Sequence, residues 1–103
     1  MTKFKLDADP TFEATVDIPV PGGKSAPVKF TFKHRTKDEL AEMFGPKSKL
    51  SNAETVLKIV AGWDLDDELN EASINKLEQN YQASINAIVN KYVAEIGPAR
   101  LGN

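Results

Sequence analysis

A chain of 103 residues with one histidine, no cysteine and a net charge of −2 has room for one domain, and disulfides, thiolate metal sites and cysteine nucleophiles are excluded together. Its 41% apolar and 27% charged residues are ordinary globular proportions, so neither a disordered nor a fibrous protein is indicated. The charge is unevenly placed, with nine basic and seven acidic residues up to Lys49 but four basic and eight acidic from Leu50 onward, which argues for a protein partner and against wholesale nucleic-acid binding.

The opening Met1-Thr2-Lys3-Phe4-Lys5-Leu6 has no apolar core of signal-peptide length, and no run approaches a membrane span, so a cytoplasmic location and no membrane partner are expected. Residues 1–10 are polar, mixed in charge and end in Asp9-Pro10, an arm or edge segment. From Thr11 to Ile18 the chain alternates, with Phe12, Ala14, Val16 and Ile18 on one face and Thr11, Glu13, Thr15 and Asp17 on the other, the pattern of a half-buried strand. Pro19 to Pro27, with three prolines and Gly22-Gly23, reads as a hairpin loop. Alternation resumes with Val28, Phe30 and Phe32 facing one way and Lys29, Thr31 and Lys33 the other. A lone hairpin with one apolar side is marginal in water, so a helix or another chain must cover it.

Thr36-Lys37-Asp38-Glu39 is a capping box, followed by Leu40, Met43 and Phe44 on one helix face and a stop at Gly45-Pro46. Burial is the ordinary fate of such a face. Ser51-Asn52-Ala53-Glu54 repeats the box, and Val56, Leu57, Ile59 and Val60 predict a helix running to Gly62. Trp63 to Leu69 then reads as a turn, Asn70 as the next cap with Leu69 and Ile74 as a hydrophobic staple. Ile74, Leu77 and Tyr81 carry the next helix face; Gln79-Asn80 is weak helix material and predicts a break near Asn80. Ile85, Ile88, Val89, Tyr92, Val93 and Ile96 form a last amphipathic stripe closed by Gly97-Pro98. The expected architecture is α+β, a single domain: arm (1–10), antiparallel β-hairpin (11–35), a helical part of about four helices packed on it (36–97), and a tail (98–103).

No catalytic constellation stands out. His34 is the lone histidine, with neither a nucleophile nor an orienting partner signposted, and reads as a strand-end surface residue. The acidic run Asp64, Asp66, Asp67, Glu68 and Glu71 fails the calcium-loop pattern, because Leu69 falls at the glycine position and Asn75 at the closing glutamate; no cofactor or metal is expected. Lys24, Lys29, Lys33, Arg35 and Lys37 offer a basic strip to nucleic acid, but alternation puts Phe30 and Phe32 on the face opposite Lys29 and Lys33, whereas single-strand binding wants them together. A small nucleic-acid-binding regulator using that strip is the competing functional class. Trp63 is an interface candidate and, by the same residue type, a plug of a small core.

Taken with Phe4-Lys5-Leu6, Ile18-Pro19-Val20-Pro21-Gly22-Gly23, Val28 to Thr36, Ile59-Val60-Ala61-Gly62-Trp63-Asp64-Leu65-Asp66, Asn80-Tyr81, Tyr92-Val93-Ala94-Glu95-Ile96 and Ala99 to Asn103, the order of segments resembles the tail assembly chaperones of long-tailed bacteriophages and prophages, in their short form. Gln82 departs from that pattern, which places a proline after the tyrosine. The resemblance implies a non-enzymatic protein of the host cytoplasm, absent from the finished virion. Its implied partners are the tape measure protein, which it keeps soluble, the tail tube protein and further copies of itself. On that expectation Leu40, Phe44, Trp63 and Tyr92 are the residues assigned to contact or support of the partner, by docking of apolar helices against apolar faces.

Overall fold

The alternating segments pair as expected. In the computed structural model, which describes residues 6–97, β1 (Thr11–Val20) runs antiparallel to β2 (Lys24–Lys33). Phe4-Lys5 and the 98–103 tail lie outside the described residues. The connection is far shorter than the loop predicted from the prolines: the turn occupies residues 21–23, with Gly22 and Gly23 at φ 101° and 78°, a conformation that glycine adopts without a Cβ clash. The reason Pro19 and Pro27 are tolerated is their parity. The His34 amide donates to the Pro10 carbonyl at 2.9 Å, so even-numbered residues of β1 form the hydrogen-bonded pairs of this ladder. Pro19 pairs with Ser25 and Pro27 with Asp17, in the alternate pairs, where neither strand needs an amide from them.

Thr36 and Ser51 cap the next two helices by complete boxes, α1 (Lys37–Met43) and α2 (Asn52–Ile59). The predicted continuation of α2 to Gly62 is corrected here. Val60 leaves the helix at φ −114°, ψ 125°, and Val60–Trp63 forms β3, antiparallel to β2 with Phe32 opposite Val60 and Phe30 opposite Trp63. The second edge of β2 supplies the partner that outweighs helical periodicity; a β-branched valine suits either state. The three-stranded sheet has the order β1-β2-β3. Asn70 caps α3 (Glu71–Asn80), the break falls at Tyr81, and α4 (Ser84–Ile96) closes on Gly97 at φ 132°.

One face of the sheet carries the core. Val16, Ile18, Phe30 and Phe32 meet Val56 and Ile59 of α2, Ile74 of α3, and Ile85, Ile88 and Tyr92 of α4, all buried. Each such side chain contributes roughly 1.5–3 kcal/mol on transfer from water. The rings are in mutual contact, with Phe12, Phe32 and Tyr92 centroids 5.4–5.9 Å apart, favourable spacings for aromatic pairs.

Candidate functional site

The four residues assigned from the sequence divide into two places. Leu40 and Phe44 lie together on α1, facing Val93 and Ile96 of α4 across a groove of about 700 Å³ whose rim holds His34, Arg35 and Lys37. Phe44, the C-cap of α1, is 44% exposed, where the helical pattern alone suggested core. Tyr92 is fully buried beside this groove rather than in it. Its hydroxyl donates to the Lys33 carbonyl at 2.9 Å, which ties the end of β2, one residue before His34, to the helix that supplies Val93 and Ile96. Tyr92 thus braces the helix that forms one wall of the groove, and Leu40 and Phe44 line the other. Burial pushes the Tyr92 phenol up to about 12, against the opposing charge of Arg35.

Local chemistry fixes the α1 wall. The Glu39 amide donates to Thr36 Oγ1 at 3.2 Å and the Thr36 amide to Glu39 Oε1 at 2.8 Å. The Thr36 amide holds the Glu39 carboxyl below its ordinary value against a desolvation effect that raises it, with the Thr36 hydroxyl, Arg35 and His34 helping. Arg35 donates from Nε to the Lys58 carbonyl at 2.8 Å and lies 3.8 Å from Glu39, so it anchors the rim to the C-terminal end of α2. At the far end of α1, a Cβ on Gly45 would stand 2.6 Å from the Ala41 carbonyl oxygen. Glycine is needed there because the chain folds back against the helix it has just left.

Trp63 sits elsewhere, in a second, smaller cleft of about 330 Å³ with Leu65, Leu77 and Tyr81. It is half-buried, edge-on to Phe30 at 6.1 Å, and its Nε1 donates to the Asp67 carbonyl at 2.8 Å, so it also shapes the acidic turn that follows. Leu65 and Tyr81 are 39% and 37% exposed. Neither they nor Val93 and Ile96 were singled out as contact residues from the sequence. For Val93 and Ile96 the signal available was the breadth of the α4 stripe, Ile85, Ile88, Val89, Tyr92, Val93 and Ile96.

The basic strip does not assemble with aromatics. Phe30 and Phe32 point inward at 0% exposure, Lys29 lies 3.9 Å from Glu13, and Lys33 Nζ donates to the Leu57 carbonyl at 3.1 Å. Stacking with bases has no exposed platform on that face. Among the described residues no group of three or more His, Asp or Glu side chains is placed to hold a metal ion, and no helix is long and apolar enough to cross a membrane.

Fold and grooves together define a small α+β protein that presents charged-rimmed apolar surface. The chain belongs to a family described as phage tail assembly chaperone, whose match extends over residues 1–103, the whole of this sequence. Neither a curated protein nor a solved structure matches it. Membership carries a chaperone role in tail assembly.

Proposed function

We propose that this protein binds the tape measure protein during tail assembly, keeps it soluble in the host cytoplasm and supports addition of the tail tube protein, without catalysis. The observation that carries this reading is the Leu40–Phe44 groove, where apolar side chains from two helices stay open to solvent in a chain of the tail assembly chaperone family. A large exposed aromatic over an apolar floor is costly unless something covers it. An amphipathic helix laid along such a groove buries its apolar face while the charged rim keeps the complex in solution. In this proposal Leu40 and Phe44 contact the partner, Tyr92 supports them from below, and Trp63 contributes a separate contact at the second cleft.

The test is co-expression with the tape measure protein of the same phage or prophage, followed by affinity capture and light scattering on the eluate. The expected result is a soluble complex containing several copies of this chain for each tape measure, from a tape measure that precipitates when expressed alone. An insoluble tape measure with no captured complex overturns the proposal.

A further inference from the structure

We propose that residues 3–6 of this chain dock along the free edge of β1 as a fourth strand, with Leu6 opposite Phe12 and Phe4 opposite Ala14. β1 pairs with β2 on one side, and among the described residues no strand lies on the other. Even-numbered residues of β1 bond to β2, so the amides and carbonyls of Thr11, Glu13, Thr15 and Asp17 point to the open side. Pro19, next in that row, has no amide to offer, so the row of donors stops at Asp17. An unpaired row of this kind is a template for another strand.

The two faces of β1 set what that strand must carry. On the inner face Val16 and Ile18 are buried, whereas Phe12 and Ala14, nearer the arm, are only partly covered. On the outer face Glu13 has Lys29 at 3.9 Å, and Asp17 has no ion pair among the described residues. The edge therefore calls for apolar side chains inward, beside Phe12 and Ala14, and basic ones outward, beside Glu13 and Asp17. Lys3-Phe4-Lys5-Leu6 has that alternation.

Chain connectivity supplies the register. Residues 7–11 are left as the connection, within the ordinary range of hairpin loops, and Asp9-Pro10 is turn material. The chain bends at Asp7 and at Pro10, and the His34 amide holds the Pro10 carbonyl at 2.9 Å, so the arm starts from a fixed point beside the edge. Pairing Leu6 with Phe12 sets Lys5 opposite Glu13 and Lys3 opposite Thr15, diagonal to Glu13 and Asp17. A shift by one residue would turn Phe4 and Leu6 to the charged face. Leu6 is 95% exposed in this structure, so the arm exchanges between an open and a docked position, and docking covers that leucine. The tether keeps the arm at high local concentration, which lets four residues compete for the edge.

The test is NMR on the full chain, read as amide exchange and as contacts between α-protons. Phe4 and Ala14 form a non-hydrogen-bonded pair in this register, so an Hα–Hα contact between them is expected. The Glu13 and Thr15 amides, which then bond to the arm, should exchange at least about tenfold more slowly than in a chain carrying Phe4→Asp with Leu6→Asp. Phe30 and Phe32, opposite Ala14 and Phe12, should keep protected amides in that variant, which shows that the sheet is still folded. Protection at Glu13 and Thr15 should not change with protein concentration, because arm and edge belong to one molecule. Equal exchange in the two chains overturns the proposal, as does an α-proton contact in another register or none. Protection that rises with concentration overturns it too, since a second copy then fills the edge. The assay uses this chain alone, so its outcome is independent of tape-measure binding.

Discussion

The hydroxyl of Tyr92 and the carbonyl of Lys33, 59 positions apart in the chain, are joined by a 2.9 Å hydrogen bond at the junction of sheet and last helix. Tyr92→Phe removes that bond while keeping the ring among Phe12 and Phe32, and is expected to cost about 1 kcal/mol. The phenol also makes stability depend on pH. Its value is pushed up to about 12 in the folded protein, against roughly 10 in an unfolded chain. The folded state therefore holds the proton more tightly, and its contribution is complete below about pH 10 and is lost as pH rises towards 12. Denaturant unfolding across that range should show a decline in wild type that is weaker in Tyr92→Phe.

Phe44 and Phe32 separate function from folding. Phe44→Ala, at a 44% exposed position, should change the denaturation midpoint little, by about 1 kcal/mol or less, while reducing capture of the tape measure. Phe32→Ala, at 0% exposure, should cost about 3–5 kcal/mol through loss of transfer energy and the cavity left behind. Full tape-measure capture by folded Phe44→Ala would remove this residue from the contact surface.

Glycine substitution distinguishes two positions that the sequence presents alike. At Gly45 an added Cβ meets the Ala41 carbonyl oxygen at 2.6 Å, and backbone cannot yield as a flexible side chain would; at Gly62 it meets nothing within 4 Å and the φ is not positive. Gly45→Ala is expected to destabilise by about 1–3 kcal/mol. Gly62→Ala should be neutral or stabilising by up to about 1 kcal/mol, since it lowers the entropy of the unfolded chain. Thermal unfolding of the pair reads the difference directly.

Ser84 opens α4 fully buried, and its hydroxyl has no hydrogen-bond partner among the described residues. Ser84→Ala should stabilise the protein by about 1 kcal/mol, because it removes a desolvated polar group at a helical position that alanine favours. An unchanged or lowered midpoint in urea would count against an unsatisfied hydroxyl there.

Local chemistry made most of the fold legible. Phe12, Ala14, Val16 and Ile18 alternate because a strand has period two, and they share the buried face in the structure. Thr36, Ser51 and Asn70 announce helix starts because each side chain reaches the amide three residues on, and each does so here. The end of a helix at Asn80 follows from weak helix formers, and the stripe from Ile85 to Ile96 from the helical repeat. These are interactions between near neighbours, written in residue order. The third strand was decided elsewhere: Val60 to Trp63 satisfies helix and strand patterns alike, and only the open edge of β2 selects between them. The groove was likewise invisible in residue order. The exposure of Phe44 depends on how far α4 lies from α1, and the burial of Tyr92 on a carbonyl 59 positions away. By itself the sequence determined the strand pair, the helix starts and which faces are apolar, because those depend on spacing along the chain. Tertiary structure alone decided which apolar faces were left uncovered, because that depends on where distant segments come to rest.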